Sequence, residues 1–594
     1  MSSTLEKNRL LVCLFLVFAG FVTGGAAQSQ ATAQPVAAPV TGSSVEGSAV
    51  LSGAVKADKG AVLALRVKVT DPARGISYVV FTKSGHYYLY NLPGGSYQVQ
   101  ILERNFKSDV VQVEVAPGAT KVADLSIVAV DAPIWGTGAN MIGGRHPPSQ
   151  ELVSYDELYP PGPTRDLLEQ RCFACHGPSG WHLRGGGTAE VWYQRVDRMW
   201  QRGAVGSAPM VEGKYTSETE KQEIVDYFAK NFPTNHPARD LRPDPITRDE
   251  KMLSTSLYVI YDVPPLPNAR LPQGYMRGTH DVFPSLDPTR QGTIWIAGAA
   301  SSSILRVDTL NPDPVARFRE WPINDLNIKR VIPHGIQEAN GHVYWPELGG
   351  DHVGDIDIAT GAMIRTPSVQ PFDSGGGHTN RVDSKGNVWF TEVGGDGAIG
   401  RMDPKTHKIV KWSPVPGAKW YGVVVDKQDR IWVAATGAPD PDRKVYKTLT
   451  MYDPRTEMWK VYSTPHPLRR ITLDSKGNVW ANEYWGGAEV MLDPNTGKFT
   501  RQPYPVKWGA PYEGYIDKFD RLWVEDYGYQ VFHRMDLATK KWTEYPFPDL
   551  AFHTPKVEQD QNGDIWFGGQ SVAVAVLKPM GNVPKARVAS LASR

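Results

Sequence analysis

One phrase recurs through the second half of the chain and constrains its fold more than any other feature. A turn, an apolar residue and an aromatic residue follow one another seven times, and the aromatic positions are Trp295, Tyr344, Trp389, Trp432, Trp480, Trp523 and Trp566. These positions are 43 to 49 residues apart, and short strand-like runs separate them. A period near 45 built of short strands predicts a β-propeller, since one blade buries its faces only against its neighbours. Seven repeats predict seven blades over residues 255–580.

The sequence also indicates how this ring of blades closes. The last repeat ends soon after VAVAVLKP, one strand short of a full blade. The segment before the first repeat, SLYVIYDVP, resembles the blade-ending strands KWTEYPFP and KVYSTP. We therefore expect this earlier segment to complete the last blade.

Length and charge limit the rest of the interpretation. With 594 residues the chain is too long for one ordinary domain, so we predict a multidomain, mainly β protein. The 64 Lys and Arg nearly balance the 63 Asp and Glu. This balance gives no support for binding to nucleic acid or to an acidic membrane surface, so no nucleic-acid partner is expected.

The first residues indicate export. Residues 1–27 have a basic start, an apolar run and small residues, which is the order of a cleaved signal peptide. The apolar run is too short to span a bilayer, so we do not expect an integral membrane protein after processing. Residues 28–48 are a small polar linker. The predicted location is periplasmic or secreted.

A short motif near the middle of the chain predicts a covalent haem. Cys172, Cys175 and His176 form C-x-x-C-H, the attachment signature of haem c. Two thiols at this spacing reach the haem vinyl groups, and the adjacent imidazole reaches the iron. The other cysteine, Cys13, lies in the signal segment, so a disulfide-built fold is excluded. We predict one covalent haem c per chain.

The residues around the motif are predicted to form three helices. The last helix begins with a capping box of Ser217 and Glu220. Residues 160–234 thus resemble class I cytochrome c, with linkers at 131–159 and 235–254. The resemblance implies that His176 and a methionine thioether ligate the iron. Met210 lies in the loop before the last helix, where that family places its ligand. Met199 is the alternative, and His182 is a weaker third choice.

The residues before the haem motif alternate between apolar and polar types, as in the short strands of a small β-sandwich. Residues 49–130 contain seven short strand-like runs. The stretches Ser52–Val55 and Gly85–Val99 resemble the carboxypeptidase regulatory-like domain. That resemblance implies an immunoglobulin-like β-sandwich, usually a spacer or adhesion unit, with alternating tyrosines packed in its core.

The propeller region, 255–580, resembles the virginiamycin B lyase (streptogramin lyase) family. The resemblance is carried by Gly386–Glu392, Ile399–Asp403 and Pro333–Ile336. It implies seven blades, a general-base histidine, and a Glu-x-His pair with magnesium on the axis. His334 matches the second member of the pair, but Ile332 stands where the glutamate belongs. The loss of this carboxylate argues against lyase activity.

Several polar residues begin the innermost strands and are the candidate propeller site. The histidines are His280, His334, His378 and His553, and the same positions in other blades hold Tyr421, Arg469 and Tyr512. Neutral imidazoles suit zinc, copper or iron better than magnesium, so an additional metal ion at the propeller axis is expected. The acidic residues after the repeat aromatics are interpreted as blade-stabilising acceptors. They are Glu347, Glu392, Glu483, Glu525 and Asp526.

Three functions fit these features. The first is an exported c-type cytochrome that transfers electrons through its haem, coupled to a propeller that binds a ligand or metal. The second is a lyase-like or hydrolase-like propeller with an accessory haem. The third is a binding or adhesion protein without catalysis. A redox partner protein or a small-molecule substrate is expected, and the residues do not decide between an oxidoreductase and these alternatives. The residues 581–594 read as a tail.

Overall fold

The regular elements before the propeller form two groups. The structure is a computed structural model that describes residues 47–584 apart from 133, 135–150, 174–177, 179–184, 203–216, 267–277, 324–330, 369–374, 395–396, 437–445, 485, 527, 551, 553–555 and 570–572. The first nine strands are β1 Ala49–Ala57, β2 Arg66–Asp71, β3 Ile76–Phe81, β4 His86–Leu92, β5 Gly95–Ile101, β6 Phe106–Ser108, β7 Val111–Val115, β8 Thr120–Val122 and β9 Leu125–Ala129. The next elements are β10 Glu151–Val153, α1 Tyr155–Leu158, α2 Pro163–Arg171, α3 Ala189–Arg202, α4 Glu218–Asn231, β11 Arg239–Leu241 and α5 Glu250–Leu253.

The first nine strands lie in two sheets around one apolar core. One sheet has the order β4-β1-β9-β6 with β8 beside β1, and the other contains β3-β2-β5-β7. Tyr87 and Tyr97 are fully buried, and their hydroxyls donate to the carbonyls of Ala123 and Pro93. By contrast, Tyr88 is 48% exposed. The predicted tyrosine packing therefore holds for one face of the strand only.

The helical unit is built around aromatic side chains. Its core contains Tyr159, Phe173, Trp192, Phe228 and Phe232. The predicted capping box of Ser217 and Glu220 is confirmed at the start of α4. Strands β10 and β11 pair in parallel, so parts of both stretches expected to be linkers belong to this unit. None of the helices that the structure describes has the length and apolarity to cross a bilayer.

The remaining strands form seven four-stranded antiparallel sheets. Their bounds are β12 Leu257–Asp262, β13 Thr279–Pro284, β14 Thr293–Gly298, β15 Ser303–Asp308, β16 Phe318–Pro322, β17 Gln337–Ala339, β18 His342–Pro346, β19 His352–Asp357, β20 Met363–Pro367, β21 Gly377–Val382, β22 Val388–Glu392, β23 Ala398–Met402, β24 Ile409–Trp412, β25 Trp420–Val425, β26 Ile431–Ala435, β27 Tyr446–Asp453, β28 Met458–Thr464, β29 Ile471–Leu473, β30 Val479–Glu483, β31 Ala488–Leu492, β32 Phe499–Pro503, β33 Pro511–Ile516, β34 Arg521–Asp526, β35 Val531–Asp536, β36 Trp542–Pro546, β37 Val557–Gln559, β38 Ile565–Gly568 and β39 Ala573–Lys578. A short 3-10 helix spans Pro288–Arg290.

These sheets are the blades of a propeller. Blades one to six are formed in chain order by β13–β16, β17–β20, β21–β24, β25–β28, β29–β32 and β33–β36. Side chains from blades that are not neighbours meet across the axis: Arg470 of blade five reaches Asp281 of blade one. Arg381 of blade three likewise reaches Glu558 of the last blade. Such contacts require a closed ring.

The recurrent turn and aromatic residue have a local cause. The residue three positions before each aromatic has positive φ in all seven blades, which favours glycine or aspartate there. In blades three to seven, an aspartate six residues before the tryptophan accepts its indole N–H, at 2.8–3.0 Å. The seven aromatics are buried, as expected for residues that pack between blades.

The last blade is completed as predicted. Its strands run β37-β38-β39-β12, and Tyr258 of β12 pairs with Leu577 of β39. The other edge of β12 pairs with β3, where Tyr258 lies opposite Val79. One eight-stranded sheet therefore runs from the axis of the propeller to the outer edge of the N-terminal sandwich.

Candidate functional site

Three of the predicted histidines come together where the innermost strands begin. The ring centroids of His280 and His334 are 4.1 Å apart, and those of His334 and His378 are 3.8 Å apart. All three side chains are buried, and they come from three successive blades. His553 lies outside the described residues. The histidine cluster is defined here as His280, His334 and His378.

Each ring of the histidine cluster is held by its Nδ1 atom. Nδ1 of His280 is 2.8 Å from Oδ1 of Asp281, and Nδ1 of His334 is 3.0 Å from the carbonyl oxygen of His378. Nδ1 of His378 faces the hydroxyl of Thr379 at 2.9 Å and the carbonyl of Tyr421 at 3.3 Å. Carboxylate and carbonyl oxygens only accept, so Nδ1 of each ring carries the proton. In a neutral ring of this orientation Nε2 keeps its lone pair, which is the arrangement found in metal-binding histidines.

Burial keeps the rings of His334 and His378 neutral. The pKa of His334 and that of His378 lie well below the usual histidine value, because desolvation disfavours the charged form. The neighbouring histidines and Arg470 lower both values further. A neutral imidazole is the form that binds a metal ion.

The same cluster contains a group with the spacing of metal ligands. His280, Asp281 and His334 each offer one ligand atom, and these atoms lie within 4.8 Å of one another. Two nitrogen donors and one oxygen donor match zinc, iron or copper better than magnesium. The described residues thus fit a divalent transition metal.

A layer of charged side chains lies next to the histidine cluster. Arg470 contacts Asp281 at 3.4 Å and Glu513 at 2.9 Å, while Lys556 lies 3.1 Å from Glu558. Burial raises the pKa of Glu513 to about 8, against the attraction of Arg470. The pKa of Asp281 lies well below its usual range, because Arg470 and Lys556 outweigh the effect of burial on it. Asp281 is therefore a permanent anion beside His280.

An arginine among tyrosines forms the other side of the pocket. The guanidinium carbon of Arg469 is 4.7, 4.2 and 4.1 Å from the ring centroids of Tyr421, Tyr484 and Tyr512. Arg469 also donates to the hydroxyl of Tyr421, which lies 2.6 Å from that of Tyr512. The ring of Tyr421 is 3.6 Å from that of His378, so this aromatic group adjoins the histidine cluster. A cation held between rings and phenols suits an anionic ligand.

Sequence reasoning found residues at or just before the start of the innermost strands but missed three of their chain neighbours. Asp281, Arg470 and Glu513 each follow a predicted residue directly. In a regular strand, successive side chains point to opposite faces. Four innermost strands, β13, β21, β25 and β33, have register shifts at this point. Such bulges redirect side chains near binding sites, and no residue type in the sequence marks them.

Ile332 lies in an apolar cluster at this mouth. Its side chain is buried with Leu348, Val393 and Tyr421 among its cluster neighbours. The backbone of Ile332 has φ +53°, a conformation that β-branched residues rarely adopt. The position at which the lyase resemblance expects a glutamate thus holds a buried apolar side chain.

The acidic residues after the repeat aromatics differ between blades. Glu347, Glu392 and Glu483 pair with Arg365, Lys411 and Arg501 of the outermost strand of their own blades. This agrees with their interpretation as blade-stabilising acceptors. In blade six, Asp526 instead faces His533, which lies 3.6 Å from both Asp526 and Glu544. The pKa of Glu525 is raised well above its usual value by burial and by Asp526.

The haem residues are only partly described. Cys172 caps the end of α2, and Phe173 is buried in the helical core. Cys175, His176, His182 and Met210 lie outside the described residues. The backbone of Met199 belongs to α3.

Comparison with known proteins gives structural neighbours only. No known family model matches the chain. No curated protein matches it either. A streptogramin B lyase structure is 17% identical and has a TM-score of 0.44, over 54% of this chain and 97% of that one. Virginiamycin B lyase from Staphylococcus aureus is 17% identical with a TM-score of 0.45, over 54% and 99%. YCF48 from Cyanidioschyzon merolae is 12% identical with a TM-score of 0.39, over 54% and 99%. The propeller assignment rests on the strand pairing of this chain.

Proposed function

We propose that the propeller is a metal-dependent enzyme module whose axial pocket holds one divalent transition metal and an anionic small molecule. The observation that carries this proposal is the common orientation of the histidine cluster. All three Nδ1 atoms face hydrogen-bond acceptors, so Nε2 is the atom that each neutral ring can offer to a metal.

Each side of the pocket then has a role. His280, Asp281 and His334 would hold the metal, since their ligand atoms lie within 4.8 Å of one another, and Asp281 also fixes the orientation of His280. A bound metal would supply Lewis-acid polarisation of a ligand oxygen. Arg469 binds the anionic group of the ligand or the negative charge that develops on it, since its charge is presented between aromatic faces. This favours metal-assisted hydrolysis or elimination over simple adhesion.

The lyase reaction of the resembling family is not the one we propose. That reaction is expected to need a carboxylate and magnesium, and Ile332 stands at the carboxylate position. With imidazole donors in the pocket, we propose zinc, iron or copper as the metal. We expect the wild-type protein to show little activity in opening the ring of a streptogramin, and we expect Ile332→Glu to increase this activity only slightly.

A second function is proposed for the helical unit. The C-x-x-C-H motif of Cys172, Cys175 and His176 favours one covalent haem c, with Met210 as the second iron ligand and Met199 as the alternative. On this proposal residues 160–234 are a class I cytochrome c domain. The protein is then an exported electron carrier with its own reaction site, and the residues 49–130 form an immunoglobulin-like spacer.

Metal and haem analysis of the purified protein tests both functions. We expect about one zinc, iron or copper ion per chain beyond haem iron, and much less in His334→Ala. His342→Ala is the matched control, because His342 is a half-exposed histidine bonded to Asp355. Metal content that is equal in the two variants would contradict the axial site.

The haem test is independent of the metal test. Protein produced with the haem c maturation machinery should show one haem that resists acid-acetone extraction in a pyridine haemochrome assay. Cys172→Ser should lower the covalent haem content while leaving the axial metal in place. Haem that is extractable from the wild type, or absent, would contradict the cytochrome proposal.

A further inference from the structure

We propose that protonation of three side chains in blade six fastens a strap of the chain at the mouth of the axial pocket, and that the loss of one proton releases it. The strap is defined as residues 242–249, which lie between β11 and α5 and join the helical unit to the propeller. The blade-six triad is defined as Asp526, His533 and Glu544. This inference goes beyond the proposed function and uses neither the haem nor the axial metal.

The blade-six triad crosses its blade from the second strand to the outermost strand. Asp526 ends β34, His533 lies on β35 and Glu544 lies on β36, directly opposite His533 in the strand pairing. Nε2 of His533 is 3.6 Å from Oδ2 of Asp526, and Nδ1 is 3.6 Å from Oε1 of Glu544. The imidazole is fully closed off from solvent. One buried ring thus separates two carboxylates.

Three other blades have a permanent cation at this place. There the acidic residue after the repeat aromatic pairs with a basic residue of the outermost strand, and the basic residues are Arg365, Lys411 and Arg501. In the strand pairing, Glu544 takes the place of these basic residues. His533 takes the place of their partners on the third strand, which are Gly354, Gly400 and Val490. Blade six therefore has a second carboxylate in place of the cation, and its positive charge depends on protons.

The groups around His533 on the side of blade five are acidic as well. The ring centroid of Tyr504 is 4.8 Å from that of His533. The pKa of Tyr504 is raised well above its usual value by burial and by four carboxylates, those of Asp526, Glu489, Glu525 and Glu544. Burial raises the pKa of Glu544 too, against the effects of His533 and of a backbone N–H. Buried carboxylates that lie close together favour the uptake of protons.

The two contacts of His533 need two protons. An ionised carboxylate only accepts, so each contact closes through one hydrogen, carried by the ring or, at the outer contact, by Glu544. A neutral ring between two ionised carboxylates has one hydrogen for both contacts. Oδ1 of Asp526 accepts the backbone N–H groups of Gly528 and Tyr529 at 2.7 and 3.0 Å, which favours its ionised form. The single hydrogen therefore stays on Nε2, and the contact that is lost is the one to Glu544.

Both ends of the blade-six triad hold the strap. At the outer end, Glu544 accepts the backbone N–H of Thr247. At the inner end, Asp526 fixes the backbone of Tyr529, as described above. The hydroxyl of Tyr529 in turn accepts the backbone N–H of Asp244 at 2.8 Å. The triad thus supports the strap at two points that are three residues apart.

The strap lies where the helical unit meets the mouth of the axial pocket. The carboxylate of Asp244 accepts the backbone N–H of Lys507 at 2.7 Å, in the segment that leads into the innermost strand β33. The next residue, Trp508, stacks on Tyr155 of the helical unit with ring centroids 4.7 Å apart. Ile246 packs against the apolar core between blades five and six. Release of the strap therefore loosens the helical unit at this mouth.

The proton balance gives the direction of the switch. At low pH both contacts of His533 are closed, so Glu544 is held and the strap is fastened. As pH rises, the triad loses one proton to water, and the lone pair of Nδ1 then faces an ionised carboxylate. The side chain of Glu544 is 11% exposed on the outermost strand, so it can turn toward water and release Thr247. The strap therefore opens at high pH.

Amide hydrogen exchange of the strap, measured by mass spectrometry on the full chain between pH 5 and 9, tests the switch. Rates are corrected for the intrinsic effect of pH on exchange. In the wild type the corrected rate should rise about tenfold with pH, as expected for the loss of a hydrogen bond to a charged group. Glu544→Gln should keep the rate low throughout, because its amide donates to Nδ1 at every pH while its carbonyl oxygen still accepts from Thr247.

His533→Gln should remove the pH response, since an amide has no proton to lose in this range. His342→Gln is the matched control, because His342 is a half-exposed histidine that contacts Asp355 in blade two, and it should keep the wild-type response. Exchange in β35 shows whether each variant is folded, and if His533→Gln is unfolded, Glu544→Gln decides. A corrected wild-type rate that does not change with pH, or a Glu544→Gln response equal to that of the wild type, would overturn the switch. Neither result bears on the haem or on the axial metal.

Discussion

Nζ of Lys411 lies 3.0 Å from Oε2 of Glu392, and both side chains are closed off from solvent. The pair joins the outermost strand of blade three to the end of its second strand. We expect Lys411→Met to lower the free energy of unfolding by about 3–5 kcal/mol, because it leaves a buried carboxylate without its cation. Urea denaturation followed by circular dichroism measures this.

Arg455→Met is the control for Lys411→Met. Arg455 pairs with Asp453 at 2.8 Å, but its side chain is 65% exposed. Water screens the charges of an exposed pair, so its removal should change the free energy of unfolding far less than removal of the buried pair. An equal decrease in the free energy of unfolding in the two variants would show that burial does not determine how strongly the Lys411–Glu392 pair stabilises blade three.

The histidine cluster should make stability depend on pH. The pKa of His334 and of His378 is lowered in the folded chain. Below the ordinary pKa of about 6.5, the unfolded chain binds protons that the folded chain does not. This contribution to stability is therefore fully present above pH 6.5 and is lost as pH falls. His378→Gln should reduce the slope below pH 6.5 by up to about 1.4 kcal/mol per pH unit.

The control for the pH series is His86→Gln, since His86 is exposed in the sandwich. Unfolding free energies measured in metal-free buffer between pH 5 and 7 decide the matter. A His378→Gln slope equal to that of the wild type would mean that His378 is charged in the folded chain.

Metal binding should depend on Asp281 as well as on the histidines. Asp281 holds Nδ1 of His280 at 2.8 Å. Loss of a carboxylate that orients a metal-binding histidine costs about 10- to 100-fold in affinity. We expect this loss for zinc in Asp281→Asn, measured by titration calorimetry. Circular dichroism checks that the variant is folded, and affinity equal to that of the wild type would remove Asp281 from the site.

The iron ligand is tested by its spectrum. Ferric haem with a thioether ligand has a weak near-infrared band. Met210→Ala should abolish this band, while Met199→Ala should leave it. The reverse result would transfer the assignment to Met199.

The sandwich and the last blade should lose stability together. Val79→Pro removes a ladder hydrogen bond from β3, which lies between β2 and β12. We expect lower amide hydrogen-exchange protection in β12 and β39 as well as in β2. Val110→Pro, at an exposed position outside the strands, is the control. Loss of protection confined to the sandwich would show that the two parts open separately.

Much of the propeller could be predicted from the sequence, because each blade needs the same residue types at the same positions. Glycine or aspartate is required where φ is positive, and the tryptophan is required between blades, so both recur at a fixed period. The completion of the last blade by residues before the first one was predicted for the same reason. The pairing of β12 with β3 was not, because the edge of a strand offers the same hydrogen bonds to any partner.

The site was predicted less fully. Side chains at the start of the innermost strands were identified by their spacing, and His280, His334 and His378 do meet. Asp281 and Glu513 were missed because the bulges in β13 and β33 have no signature in the sequence. Arg470 was missed because it lies just before β29, next to the residue that was predicted. Trp508 was not singled out either, because neither its positive φ of 61° nor its stacking on Tyr155, with ring centroids 4.7 Å apart, follows from residue type.

The pairing of β12 has a consequence for the order of synthesis. Strand β12 leaves the ribosome long before β39, so it is joined first to the sandwich and waits there with one edge unpaired. The sandwich then holds β12 in place until β39 pairs with it. The ring cannot close until β39 has been synthesised, and a chain truncated before Ala573 would keep an open, adhesive strand edge at β12.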